Sequence, residues 1–421
     1  MINMRKGSLY RIYPEEGQKQ VLEQHFGGVR FLYNKLLHIK SILYSQCGCS
    51  ISRSELDKHI LVLKDIYPWL KNVNSQSLQQ ANKNLDNAYQ RFFKGLGDYP
   101  AEKLKKKQHF SFQVPQHYKI NLTTSEIFLP IIGWIKINIH RPLFEPELFE
   151  THIKTTTINN EIIVEKDLNS EFLRTATVSR TSAGRYHISI LTEDLNNYPV
   201  TQQYSESTMV GVDVGIKTFA AISTGEKIEN PKFLNKSINK LKMLQKRVSR
   251  KVKGSKNRKK AVKKLAKQHQ LVSNQRNNFQ HKVSLSLIRE NQAVAIETLN
   301  IKGMIKNHKL AQAVADSAWS SFVTKLEYKA QWFGKTILKI GMFEPSSKNC
   351  HVCGYHNSEL TLKNREWLCP SCNTNHDRDI NAAINIKQFA INNLITSGTE
   401  GRACGVILKR ESCEAGCPSF Q

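Results

Sequence analysis

Apolar residues recur along this chain at two spacings, and the spacing changes with position. After a short strand and turn near residues 8–18, Leu22, Phe26, Val29, Tyr33 and Leu36 fall three or four residues apart, the stripe of an amphipathic helix. Gly27-Gly28 inside that stripe is an expected weak point. The stretch SRSELDKHILVLKDIYPWL is also partly helical, with Pro68 marking a boundary. A further helix is predicted from Asn74 or Ser75, with Leu78, Ala81, Leu85, Ala88 and Phe92 on one side, ending near Gly95 and Gly97. From about residue 109 the period drops to two. HFSFQVP, IFLPIIGWIKINI and RTATVSRTSAGRYHISILTE alternate polar and apolar side chains, the last with a Ser-Ala-Gly turn. A polar stretch near 195–208 then marks a domain break.

A second core begins at MVGVDVGIKTFAAI (209–222). Residues 235–290 read as long helix, broken into a hairpin at Gly254-Ser255, with a thin apolar seam of Leu241, Leu244, Val248, Val262, Leu265, Leu271, Val272 and Phe279. AVAIE (293–297) reads as a buried strand, WSSFVTKLEYKAQWFGKTIL as a helix, and KIGMFE as a following strand. One more helical stretch follows Ile386, then a tail rich in Gly, Cys and Ser with no assignable pattern.

Charge changes the picture next. Sixty-two Lys+Arg against 35 Asp+Glu leave +27, a balance that attracts and steers polyanions. A membrane is the weaker partner, because no apolar run of about 18 residues is present. The basic centre RVSRKVKGSKNRKKAVKKLAKQ exceeds what solubility needs, so Arg247, Arg250, Lys253, Lys256 and Arg258, together with Lys217, are candidate phosphate contacts. The first residues show no apolar leader, and the expected location is the cytoplasm, on the nucleoid of a prokaryote.

Four of the nine cysteines are organised: Cys350, Cys353, Cys369 and Cys372 form C-x2-C-x15-C-x2-C. Two such knuckles close a tetrahedron of thiolates with no open position, which is a structural zinc site rather than a catalytic one. The ribbon has few apolar residues, so metal should supply its folding energy. Cys47, Cys49, Cys404, Cys413 and Cys417 lack a matching pair.

Three places carry unusual carboxylates. Asp213 lies in the apolar strand VGVDVG, where Gly211 and Gly215 leave room for a metal and a phosphate backbone. Glu297 closes the strand AVAIE, a costly position for an acid unless it binds something. HDRDINAAINI carries Asp377 and Asp379 just before a helix expected to bury Ile380, Ala383 and Ile384; either acid could simply cap that helix. Taken together, acids at two strand ends and one helix start fit an RNase H-like sheet. There, distant carboxylates converge on divalent ions that generate hydroxide and stabilise the leaving oxygen of a phosphodiester. Mg²⁺ or Mn²⁺ suits this hard oxygen set.

The segments GVDVGIKTF (211–219), AIETLNIKG (295–303), the four-cysteine ribbon and HDRDINAAINI (376–386) resemble the TnpB/OrfB family of insertion-sequence proteins, often described as transposases and related to type V CRISPR effectors. YRIYPEEGQ, FGGVRFLYN and FSFQVP resemble its N-terminal region. The resemblance implies an α/β fold: a wedge β-barrel over 1–205 with a helical recognition insert at about 20–105, a RuvC/RNase H-like domain over 206–390 with the ribbon inserted at about 345–376, and a flexible tail over 391–421. It places the three catalytic, Mg²⁺-binding acids at Asp213, Glu297 and Asp379, and brings Arg378 near the scissile phosphate. It further implies a guide RNA from the element's end, a double-stranded DNA target, and RNA-guided cleavage by a protein for which a monomer is favoured. An RNA–DNA duplex read by its backbone suits the positive charge, and no sequence-reading helix-turn-helix is evident. Three other readings stand beside this one: a transposase that joins strands, a nuclease-inactive RNA-guided regulator, and a zinc-ribbon nucleic-acid-binding protein with no activity.

Overall fold

A computed structural model describes residues 3–105, 110–141, 155–158, 161–165, 173–197, 199–201, 203–342, 344–361 and 364–396. The chain divides into two compact units, Met1–Asn197 and Tyr198–Gln421. The first is a sheet with helices. Strand β1 (Asn3–Tyr13) leads into α1 (Glu16–Cys47), then α2 (Arg53–Ile66), a 3-10 turn (Pro68–Asn72) and α3 (Ser75–Phe93). The strands that follow are β2 (Phe110–Val114), β3 (Lys119–Asn121), β4 (Glu126–Leu129), β5 (Gly133–Asn138), β6 (Thr155–Ile158), β7 (Glu161–Glu165), β8 (Leu173–Arg180) and β9 (Tyr186–Asn197). They form one antiparallel nine-stranded sheet in the order β2-β8-β9-β1-β5-β4-β3-β7-β6. It curls, but its edge strands β2 and β6 do not pair with each other among the described residues. The expected barrel is therefore a half-barrel.

Helix α1 runs unbroken for 32 residues through Gly27-Gly28. Gly28 is there for contact: a Cβ on it would lie 2.8 Å from Val73 Cγ2, so only glycine lets the chain after the 3-10 turn press against α1. The buried His25 ties the same helices together. Its Nδ1 lies 2.8 Å from the Val21 carbonyl, and its Nε2 accepts the Asn74 backbone N–H at 3.1 Å, a pattern that assigns the neutral tautomer. Burial pulls its pKa down in the same direction.

The second unit holds a five-stranded mixed sheet, ordered β12-β11-β10-β13-β14. Its strands are β10 (Met209–Val214), β11 (Thr218–Ile222), β12 (Lys227–Glu229), β13 (Ala293–Glu297) and β14 (Thr336–Ile340). The first three are antiparallel; β10, β13 and β14 run parallel. This is an RNase H-like sheet of the RuvC kind. Between β12 and β13 lie α4 (Phe233–Ser249) and α5 (Lys256–Glu290), hinged at Gly254, whose φ of 86° needs glycine. In the expected seam Leu241, Leu244, Val248 and Val272 are buried, but Val262 and Leu271 are exposed: the hairpin arms are too polar to bury a full stripe. After α6 (Ile301–Lys306) and α7 (His308–Ser317), α8 (Trp319–Phe333) stops at a left-handed Gly334. The strand then begins at Thr336 and ends at Ile340, earlier than KIGMFE suggested, because Thr336–Ile340 pair with Ala293–Glu297.

Period two sorts the sheet faces. Val210, Val212, Val294 and Ile296 face Val283, Leu287, Phe322 and Leu326 from α5 and α8. The alternate residues Met209, Ala293, Ala295 and Ile340 face Ile386, Ala390 and Ile391 of α9 (Arg378–Thr396). Of the residues expected to be buried at the start of α9, Ala383 is buried, while Ile380 and Ile384 are only half-buried; Asn381, Ala382, Asn385 and Ile386 are buried instead. The helix continues to Thr396, inside the stretch expected to be a tail; residues 397–421, with Cys404, Cys413 and Cys417, lie outside the described residues.

Candidate active site and metal centre

The acid cluster follows from the face with α9. Val212 pairs with Ile296, so Asp213 and Glu297 stand one step further on, on neighbouring parallel strands and on the same face. Helix α9 lies over this face close enough to touch backbone. A Cβ on Gly211 would sit 2.0 Å from the Ala383 carbonyl oxygen and 2.8 Å from Lys387 N. Gly211 therefore makes room for a helix, not for a metal and phosphate. Gly215 serves a turn, its absent Cβ falling 2.8 Å from the Thr218 carbonyl. With Ala383 over Gly211 and Ile391 beside Met209 and Ala293, α9 runs antiparallel to β10 and brings its first turn to Asp213.

Electrostatics registers the result. Burial, then the charges of Glu297 and Asp379, push the Asp213 carboxyl up to about 8, against smaller opposing effects of Arg378 and Arg365. Burial also raises Glu297, partly offset by a hydrogen bond from the Ser346 hydroxyl. Asp379 accepts from Arg365 Nη1 at 3.2 Å. Asp377 has a different place: its Oδ1 accepts the backbone N–H groups of Asp379 and Ile380 at 3.1 Å, and Oδ2 accepts from Lys227. It is the helix cap, and although burial pushes the other way, Lys227 and those N–H bonds together hold its pKa down. Among the described residues the acids are less tightly gathered than the cysteines; Glu297 is bonded to Ser346 and Asp379 to Arg365.

The four cysteine sulfurs lie within 4.8 Å of one another. Each knuckle closes on a left-handed residue four positions after its first cysteine. Gly354 (φ 77°) donates its N–H to the Cys350 carbonyl, and Asn373 (φ 54°) to that of Cys369, both at 2.9 Å. Strands β15 (Glu366–Leu368) and β16 (Asn375–Asp377) complete the ribbon, whose own core is little more than Leu360 and Trp367 against the sulfurs. The Thr374 hydroxyl and N–H hold the Cys372 thiol down to about 6, toward the thiolate that a metal needs. Behind the cluster, His376 Nε2 lies 3.0 Å from Cys350 Sγ. Sulfur donors, tetrahedral spacing and such an outer partner fit zinc.

The basic candidates separate into roles. Lys217, Arg247, Arg250, Lys253 and Lys256 are exposed. Arg258 is a staple instead, its Nη1 donating to the carbonyls of Val248 (2.7 Å) and Lys251 (2.8 Å) across the hairpin turn. Between the arms lies a crevice of about 510 Å³ lined by Arg247, Arg250, Lys251, Lys260 and Lys264. Arg378 Nη1 donates to the carbonyls of Thr361 and Asn364 and so steadies the loop carrying Arg365, while its charge still acts on Asp213. Sequence reasoning missed Arg365 and Ser346, since neither sits in a pattern that periodicity or spacing would flag.

A RuvC-type sheet with a four-cysteine ribbon inserted before its last helix defines a class of nucleases. Three family models match this chain: one described as "Probable transposase" over residues 187–308, the Cas12f1-like TNB domain over 319–386, and a "Helix-turn-helix domain" over 1–49. A "Putative RNA-guided DNA endonuclease" of Streptomyces pristinaespiralis is 35% identical across 100% of this chain and 96% of its own length. The "Putative RNA-guided DNA endonuclease InsQ" of Escherichia coli K12 is 27% identical across 95% of this chain and 94% of its own. The chain belongs to the TnpB/OrfB family of RNA-guided nucleases encoded by insertion sequences. The protein in a Cas12f1-sgRNA-target DNA complex shares the fold, with a TM-score of 0.52 at 14% identity, over 91% of this chain and 99% of that one. Over residues 3–47 the structure is one strand and one helix, so the helix-turn-helix description does not apply to those elements. No helix among the described residues is long and apolar enough to cross a membrane.

Proposed function

We propose that this protein is an RNA-guided, divalent-metal-dependent DNA endonuclease of an insertion sequence, with Asp213, Glu297 and Asp379 as its catalytic acids. The observation that carries this assignment is the convergence of β10, β13 and the first turn of α9, made possible at Gly211. Three carboxylates from three elements, one of them pushed to about 8 by burial and then by its acidic neighbours, form a hard-oxygen donor set with excess negative charge, which fits Mg²⁺ or Mn²⁺. Bound there, such ions would supply a metal-activated hydroxide and stabilise the leaving oxygen of the phosphodiester. The chain's own residues do the holding: Asp213 and Glu297 from the rigid sheet, Asp379 from the helix that the Asp377 cap fixes. Arg365, paired with Asp379, is a cation that a phosphate oxygen can share. The ribbon, with zinc as its structural metal, presents Arg365. Lys217, Arg247, Arg250, Lys253 and Lys256 hold nucleic-acid backbone by charge. Guide RNA and double-stranded target DNA are the partners, engaged by a single chain in the cytoplasm, on the nucleoid of a prokaryote. Residues 1–205 and 206–390 act as the recognition and nuclease domains.

Strand transfer is the second chemistry, favoured by the "Probable transposase" description of the model matching 187–308. The test uses protein purified from cells carrying its native flanking DNA. The co-purified RNA is sequenced, and a plasmid matching it is incubated with the preparation and Mg²⁺. A defined RNA and a cut at the match are expected, with Asp213→Ala losing cleavage on the order of 10³-fold or more while still binding nucleic acid. Joined products, guide-independent cutting, or normal cleavage by Asp213→Ala would contradict the assignment.

A further inference from the structure

The segment between β14 and the first knuckle touches both the acid cluster and the cysteine cluster, and two buried asparagines hold it. Ser346 is buried, and its hydroxyl donates to Glu297 Oε1. Among the described residues it is the hydrogen-bond partner of that carboxylate. Ser346 sits in no regular element. Its place comes from a turn at Pro345, whose carbonyl accepts the N–H groups of Lys348 and Asn349, and from α9. Asn385 Nδ2 donates to the carbonyls of Ser346 at 2.7 Å and Asn349 at 2.6 Å. One helical turn earlier, Asn381 Nδ2 donates to Asn349 O at 2.7 Å, and its Oδ1 accepts the backbone N–H of His351 at 3.1 Å.

Asn381 and Asn385 are 1% and 4% exposed. Buried amides with these partners fix the peptide they grip, because an unpaired buried polar group is costly to leave. The gripped residues flank Cys350, the first sulfur of the zinc cluster, and α9 is the helix that also carries Asp379.

We infer that Ser346 is a positioning residue for Glu297, and that the Asn381–Asn385 clamp ties its position to the zinc-loaded ribbon. This rests on Glu297 being a metal-binding acid, as proposed above. With one carboxylate oxygen held by Ser346, the other is presented to a divalent ion in a single orientation, the role outer-shell hydrogen bonds play around metal ligands. The ribbon then serves the acid site by holding still the peptide that aims one of its ligands. A serine that only filled space would leave metal affinity unchanged when its hydroxyl is removed.

The experiment is Mn²⁺ binding to the zinc-loaded full-length protein, read by calorimetry, with zinc content measured on each sample. Ser346→Ala is expected to weaken Mn²⁺ binding about tenfold with zinc unchanged. Ser346→Thr, which keeps the hydroxyl, should bind within about twofold of the native chain on the same basis. Asn385→Ala should weaken Mn²⁺ binding in the same direction, a second route should Ser346→Ala fail to fold. In cleavage assays the half-saturating Mg²⁺ should rise in parallel. Native Mn²⁺ affinity in folded Ser346→Ala, alongside loss of binding in Asp213→Ala, would overturn the inference and leave the acid site standing. Native affinity in Asp213→Ala would instead overturn the acid site itself.

Discussion

The four cysteines of the ribbon come from two short turns and bring their sulfurs within 4.8 Å of one another, whereas the three acids come from two strands and a helix spread over more than 160 residues of sequence. The ribbon is local: each knuckle closes on its own left-handed residue, and its core is small, as expected of a module that draws folding energy from a metal. The acid cluster is global. It exists only because a sheet register and a helix packed on a glycine put the acids together. A soft, closed site needs little scaffold and depends on its ion. A hard, open site needs a rigid scaffold and keeps its form when the ion leaves.

That contrast can be broken at either end. The largest effect is expected from Cys353→Ser, which removes one of four zinc ligands. Zinc content and soluble folded protein should fall together, since structural zinc contributes on the order of 10 kcal/mol to such modules. A folded, zinc-free native protein with an intact ribbon would contradict this. Next comes Gly211→Ala. Its new Cβ would lie 2.0 Å from the Ala383 carbonyl, backbone that cannot step aside, so α9 must lift. A loss of about 1–3 kcal/mol in urea unfolding is expected, with cleavage impaired by the displacement of Asp379 while zinc stays bound.

The same contrast can be read in pH. In protein kept free of Mg²⁺, Asp213 has a folded-state pKa near 8 against an ordinary 3.8. A raised carboxyl contributes stability that is complete below the unfolded value and is lost as pH rises toward the folded one. Thermal stability without Mg²⁺ should therefore fall between about pH 4 and pH 8, and added Mg²⁺ should restore it. Zinc in the ribbon should move the opposite way, held more tightly as thiols deprotonate. A flat Mg²⁺-free profile over that range would contradict the pKa assignment.

Much of this architecture was legible in the residues. The change from helical to period-two spacing near residue 109, the hairpin hinge at Gly254 and the four-cysteine spacing each have a local cause, and each is where the pattern placed it. What could not be read depends on contacts between distant segments. Gly28 sits inside a helix because Val73 presses on it. Gly211 looks from the sequence like space beside a carboxylate; in the fold that space is filled by the backbone of α9. Arg258 looks like one more cation in a basic protein, yet it is spent on backbone carbonyls across the hairpin turn. Pattern alone allowed either Asp377 or Asp379 to cap the helix, and only the family resemblance chose Asp379 as the catalytic acid. In the structure one caps the helix and the other shares the field of Asp213.

Those neighbouring acids offer the most direct measurement. Single-turnover cleavage of a matched target would be compared for the native protein, Asp379→Ala and Asp377→Ala, each with its co-purified RNA and equal zinc content. Loss of cleavage in Asp379→Ala, with Asp377→Ala still cutting and only less stable by about 1 kcal/mol as a lost helix cap implies, is the predicted result. An active Asp379→Ala protein, or an inactive but fully folded Asp377→Ala, would contradict the assignment of the acid site.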